Sequence, residues 1–128
     1  GNFDEQVAGG RLQVAEFEND RGYGTEDRGY GQTNLEKAVS DMPRIDMAFI
    51  DGNHRMEPTL RYFETIFPKT HEKSCIVFDD IHWSADMEGA WEKIRKVGRV
   101  TLSIDLFFIG IVFFRKEFRE KQHFIIRF

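Results

Sequence analysis

The sequence predicts an α/β domain in which parallel strands alternate with helices and the sheet ends in an antiparallel hairpin. Three observations carry that expectation. Two apolar runs, Ile45 to Ile50 and Cys75 to Phe78, are each followed by a stretch of helical period. Such runs read as strands buried on both faces of a helix-covered parallel sheet. Both end abruptly in acid and then histidine, as Asp51-Gly52-Asn53-His54 and Asp79-Asp80-Ile81-His82. Beyond Val100 the period falls to two, and two further apolar runs follow too closely for the helical crossover that a parallel pair requires.

Residues 1–32 are polar and glycine-rich and read as an irregular, poorly ordered segment, with a loosely alternating strand candidate at Arg11 to Phe17. Arg21-Gly22-Tyr23-Gly24 and Arg28-Gly29-Tyr30-Gly31 repeat a loop-like motif within it. Residues 33–128 hold the α/β domain. Thr33 and Glu36 make a capping box for a short helix that turns Leu35, Ala38 and Val39 inward, and Pro43 ends it. After the first strong strand, Glu57-Pro58 opens a helix, because Pro fits a first turn. Leu60, Phe63, Ile66 and Phe67 recur there at helical spacing, and Pro68 stops it. After the second strand, Ser84 is a good N-cap, and Asp86 and Glu88 suit the positive end of a helix dipole. Met87, Ala90, Trp91, Ile94 and Val97 form that helix's apolar stripe, and Gly98 closes it. Val100 to Leu106 then alternates, Phe108 to Phe114 is apolar around Gly110, and His123 to Phe128 adds a last strand or edge segment.

A chain of 128 residues fits one domain. Its 41% hydrophobic and 14% aromatic residues can build a core, which argues against disorder. Trp91 and a stripe of Phe are expected inside it, with Arg61 and Arg95 on solvated helix faces. A net charge of −4 argues against a nucleic-acid partner, which calls for a basic face. The single Cys allows no internal disulfide. Cys75 reads as a small buried hydrophobe, compatible with a reducing, cytoplasmic setting. The polar, acidic start shows no secretory signal. The longest apolar run, Leu106 to Phe114, falls far short of the roughly 20 residues that cross a bilayer, so the chain reads as soluble with no membrane partner.

In helix-covered parallel sheets, ligands sit just outside the carboxyl ends of the strands. Asp51, His54, Asp79, Asp80 and His82 therefore stand where a site is expected. His54 is a candidate general base, imidazole being the side chain that titrates near neutral pH. Other readings stand beside these. Asp51-Gly52-Asn53 also makes a good turn. Asp79 and Asp80 are adjacent and point to opposite faces unless the strand has already ended. His82, before Trp83, also suits bracing the next helix. Asp105 ends an alternating strand in the polar phase and reads as structural, while His71 and His123 have no supporting context.

This order resembles the C-terminal half of a class I S-adenosylmethionine-dependent methyltransferase, whose Rossmann-like sheet ends in an antiparallel hairpin. Phe49-Ile50-Asp51-Gly52-Asn53-His54, Val77-Phe78-Asp79-Asp80-Ile81-His82-Trp83 and Gly110-Ile111-Val112-Phe113-Phe114-Arg115 are similar to a bacterial branch of small-molecule O-methyltransferase-like proteins. The resemblance covers about residues 33–128. It implies a partial sheet that lacks the N-terminal cofactor-binding strands, S-adenosylmethionine as cofactor, and methyl transfer to an oxygen of a small-molecule substrate. In relatives resembling catechol and caffeoyl methyltransferases, an acid after the fourth strand and an Asp-Asn pair after the fifth hold a divalent cation. Asp51 matches the first, and Asp79-Asp80 matches the pair with Asp in place of Asn. These oxygens suit Mg²⁺, and His82 or His54 would shift the preference to a transition metal. Such a cation would lower the pKa of a substrate oxygen.

The departure from the family lies in the first third. Its glycine-rich cofactor loop and ribose-binding acid are not found in the expected order. The Gly-Tyr-Gly repeats lack a framing strand and helix and read first as a linker; a cofactor loop or a stack on single-stranded RNA are the alternatives. The isolated chain is accordingly expected to be weakly active or inactive. The other reading is a catalytically inactive methyltransferase-like module that serves a structural or dimerisation role. An apolar face left uncovered would draw a homodimer together.

Overall fold

A computed structural model describes residues 11–15 and 34–127. The elements are β1 (Arg11–Ala15), α1 (Asn34–Ser40), β2 (Met47–Asp51), α2 (Met56–Ile66), a 3-10 turn (Phe67–Lys69), β3 (Cys75–Asp79), α3 (Ala85–Arg95), β4 (Leu102–Asp105), β5 (Ile109–Phe113) and β6 (Gln122–Ile125). Thr33 of the expected capping box and both Gly-Tyr-Gly repeats lie outside the described residues.

The strands form one sheet in the order β1-β2-β3-β5-β4-β6. β1, β2 and β3 are mutually parallel, and β5 runs antiparallel to both β3 and β4. β6 then pairs parallel with β4. Only β5 is reversed, so the carboxyl ends of β2, β3 and β4 share one edge of the sheet. The closing hairpin is therefore present, with β5 inserted between β3 and β4. This is the mixed, partial Rossmann-like α/β fold.

The register aligns Ala48, Ile76 and Val112 in one row and Ile50, Phe78 and Gly110 in the next. These rows carry the core. Leu35 and Val39 of α1, Phe63 and Ile66 of α2, and Trp91 and Ile94 of α3 pack against them in a single buried cluster. Gly110 is required there, because a Cβ would lie 2.5–2.8 Å from the Trp91 ring. The alternate residues of the same strands, among them Phe49, Val77 and Ile111, are only half-buried. Strands buried on both faces were expected. Among the described residues the three helices share one core on one face, and the other face keeps partial exposure.

The cap of α3 is as expected, with Ser84 Oγ accepting the Met87 N–H at 3.2 Å. Its other end differs. The helix stops at Arg95, three residues before Gly98. The Lys121 ammonium donates to the carbonyls of Arg95, Val97 and Val100 at 3.1, 2.7 and 2.6 Å. A cation on those orphan carbonyls does the work assigned to glycine. Arg95 is not fully solvated either, since its side chain is 25% exposed and donates to Glu92 at 2.7 Å. Cys75 is half-buried, and burial pushes its thiol pKa up. Among the described residues no helix is long and apolar enough to cross a membrane.

Candidate functional site at the carboxyl edge

Three loops converge at the shared edge, after β2, β3 and β4. Asp51 ends β2, and its Oδ1 accepts the Asn53 N–H at 3.0 Å. The turn reading of this motif is thus realised. Gly52 packs so closely on α2 that a Cβ would collide with Thr59 Oγ1 and approach the Thr59 nitrogen at 3.0 Å. That contact fixes the loop carrying His54.

His54 reaches across to the loop after β3, where its Nε2–H donates to Asp80 Oδ2 at 2.8 Å. Its ring stacks on Trp83 with centroids 4.0 Å apart. β3 ends at Asp79, and Asp80 turns to φ 56°. The strand alternation that would separate the two acids therefore stops between them. Asp80 N–H donates to Phe108 O at 2.7 Å, tying this loop to the β4–β5 hairpin. Burial raises the Asp79 pKa, and the nearby negative charges of Asp80 and Asp51 add to it. The cluster is thus electronegative.

His82 turns away from this group. Its Nδ1 meets Glu88 Oε2 at 2.8 Å and its Nε2 meets Asp105 Oδ2 at 2.7 Å. Burial alone would lower its pKa, but the hydrogen bonds and charges of Glu88 and Asp105 outweigh burial and raise it. Asp105 shifts the other way. Burial would raise its pKa, but hydrogen bonds from His82 and the Phe107 N–H, with the charge of His82 and a bond from Arg127, hold it low.

The structure thus brings Asp51, His54, Asp79 and Asp80 to one edge but does not assemble the expected cation site. A metal-binding nitrogen must offer a lone pair, whereas both ring nitrogens of His82 face carboxylates as donors. Asp80 Oδ2 holds His54 and Asp51 Oδ1 holds a backbone N–H. Among the described residues no group of three or more His, Cys, Asp or Glu is placed to hold a metal ion. As arranged, Asp51, Asp79, Asp80 and His82 do not fit one.

Other residues acquire roles that the sequence did not announce. Asp105 is 3% exposed and anchors His82, the Phe107 N–H and Arg127. Phe108 opens a run expected to form a strand, yet it lies at the hairpin tip with Phe107, and they are 66% and 44% exposed. The available signal was the junction at Leu106 to Phe108 between an alternating run and a continuously apolar one, which leaves those residues for the hairpin tip. His71 donates from Nε2 to Asp46 at 2.6 Å and accepts the Lys73 N–H at Nδ1, and His123 Nδ1 meets Ser103 Oγ at 2.7 Å. A groove of about 680 Å³ passes His71 and Lys69 at the opposite edge, away from the convergent acids.

Residues 16–81, just over half of the chain, match the model of a family described as a methyltransferase domain. The match runs through α1, β2 and α2 and ends just past β3. Together with the sheet order and its reversed penultimate strand, it places the fold in the class I S-adenosylmethionine-dependent methyltransferase type. The chain belongs to this methyltransferase-domain family, whose chemistry is methyl transfer. No curated protein and no solved structure matches it.

Proposed function

We propose that the carboxyl edge is the acceptor wall of a small-molecule O-methyltransferase, with His54 as general base and Asp80 as its positioning residue. The observation that carries this reading is the 2.8 Å bond from His54 Nε2 to Asp80. With its proton held at Nε2, the ring presents a lone pair at Nδ1. An acceptor hydroxyl donates to that nitrogen, and its proton passes there as the oxygen is methylated. Asp80 offsets the positive charge that then forms on the ring. S-adenosylmethionine, when bound, supplies the methyl on a sulfonium and leaves as a neutral thioether. The Asp51 and Asp79 carboxylates suit its cationic end, because they add negative charge where no metal fits. The phrases from Phe49 to His54 and from Val77 to Trp83 support the bacterial small-molecule branch.

Calorimetry with S-adenosylmethionine, followed by methyl-transfer assays over a panel of hydroxyl compounds, tests the reading. Binding weakened by Asp51→Asn, and transfer strongly slowed by His54→Asn, are expected. No binding at millimolar cofactor would remove enzymatic function from this chain.

A second reading, a dimerising module, is favoured by β6. This edge strand leaves Phe124, Ile125 and Ile126 roughly half-exposed. Its last two residues, Phe124 and Ile125, put one apolar side chain on each face, and an open edge accepts another strand. A second copy is the occupant, and Phe124→Lys is expected to convert a sedimenting dimer to monomer. A wild-type chain that stays monomeric at high concentration would overturn it.

A further inference from the structure

A second group of charges lies at the opposite end of the sheet. The loops that lead into β2 and β3 enclose the groove of about 680 Å³, lined among others by Arg44, Asp46, Lys69, His71, Glu72 and Lys73. It shares no residue with the carboxyl edge.

The two walls are tied to each other. Ile45 N–H donates to Lys69 O at 2.9 Å, and the fully buried Ser74 hydroxyl donates to Ile45 O at 2.7 Å. The Lys69 ammonium crosses to Met42 O at 2.6 Å. Pro43 and Pro68, one from each wall, line the opening and are exposed. Their rings stiffen the backbone there and offer an apolar surface. Small-molecule sites are commonly preformed in this way, and the volume suits one.

Cations outweigh acids around the opening. Asp46 Oδ1 accepts from His71 Nε2 at 2.6 Å and meets Arg44 Nε at 3.4 Å, which offsets its charge. Arg44 still keeps 68% of its side chain exposed. The bond to Met42 uses one of the three donors on the Lys69 ammonium. Lys73 is exposed, and among the described residues no carboxylate pairs with it. Glu72, the other lining acid, is exposed to solvent beside it. Arg99 donates to Thr70 O and Oγ1 at 3.3 Å and adds a further positive charge.

On a chain of net charge −4, this local excess concentrates anions. A guanidinium fork and two ammonium groups match the oxygens of a phosphate, which carries more charge than a carboxylate. The overall negative charge opposes a long polyanion.

We infer that this groove is a second ligand site and takes a small phosphate monoester. The phosphate sits among Arg44, Lys69 and Lys73, and the body of the ligand lies along Pro43 and Pro68.

The test titrates the ¹⁵N-labelled full chain with phenyl phosphate, inorganic phosphate, phenylacetate and a short single-stranded RNA. Salt is held constant, above about pH 7, where the phosphate is mainly a dianion. The amides of Lys69, His71 and Lys73 report on the groove, and those of His54 and Asp80 on the other edge. Phenyl phosphate is expected to shift the groove amides saturably. Inorganic phosphate, without a body to cover the prolines, should bind about tenfold more weakly. Phenylacetate should also bind more weakly. Arg44→Gln and Lys73→Gln should each weaken phenyl phosphate by about tenfold, the scale of one charge-assisted hydrogen bond. Both positions are exposed, and the buried Trp91 indole reports that each variant is folded. No saturable shift in the groove, or shifts at His54 and Asp80 alone, would overturn the site. Unchanged binding in the double variant would overturn the cation set. Equal binding of phenylacetate would overturn phosphate as the group recognised, and equal binding of inorganic phosphate would overturn the proline wall. Tighter binding of the RNA at the same amides would overturn the small ligand in favour of a polyanion.

Discussion

His54 and Asp80 meet through a 2.8 Å hydrogen bond while both hold left-handed backbone, at φ 64° and 56°. Neither is glycine, and such conformations cost of order 1–3 kcal/mol each unless the surroundings impose them. A pair held against that cost is a constraint, and it has a kinetic consequence. His54→Asn is expected to lower the methyl-transfer rate by roughly 10²–10⁴-fold, the usual contribution of a positioned base. Asp80→Asn keeps an acceptor but removes its charge, so its loss should be smaller and concentrated in kcat. Steady-state kinetics on both variants check this, and equal rates would show that Asp80 has no electrostatic part.

The His82 clamp predicts a pH-dependent stability. A raised folded pKa means that its contribution is full below the ordinary histidine value of about 6.5 and is lost as pH rises through the folded value. Asp105 has a lowered pKa, so its contribution is present above about 3.9 and lost as pH falls through the lowered value. His123 opposes His82, because burial and then Arg95 lower its pKa and favour folding as pH rises. The difference between wild type and His82→Gln isolates the clamp. Denaturant midpoints should show a wild-type advantage that shrinks from about pH 6.5 upward. A pH-independent gap would mean that His82 acts by packing alone.

Gly110→Ala tests the core beneath the site. The added methyl would meet the Trp91 ring at 2.5–2.8 Å. Overpacking of this kind costs about 1–3 kcal/mol. Combination with Trp91→Phe should recover part of the loss, readable in urea melts of the single and double variants.

The two helix starts at the edge are tied to each other. Arg55 gives α2 no side-chain cap, and Asp86 of α3 accepts the Met56 N–H at 2.9 Å instead. Asp86→Ala is expected to cost about 1 kcal/mol, as removal of an N-cap does. Amide exchange in the first turn of α2 should rise before that in α3.

The strands, helices and edge position of the acids were legible in periodicity, because β2, β3 and α3 bury one regular face each. What joins whom was not. Asp105 looked structural because its importance comes from His82, 23 residues away. His82 looked like a ligand because its neighbours in sequence are acids, while its partners in space include Glu88 and Asp105. Phe108 read as the start of a strand because an apolar residue at a hairpin tip is indistinguishable, by composition, from one in a strand. Gly98 looked like the end of α3 because the cap that closes it, Lys121, comes from beyond β5.

The insertion of β5 between β3 and β4 also sets an order of events during synthesis. Until residues near Phe113 emerge, β3 has an unpaired flank, and the loop holding Asp80 has no Phe108 carbonyl to bind. Pairings at such sequence separation form slowly and leave open edges in the meantime. The nascent chain therefore passes through a sticky half-sheet in which His54 and Asp80 already exist but the Phe108 carbonyl that ties down their loop does not. Ribosome-stalled intermediates ending before β5 would be the species most in need of a chaperone.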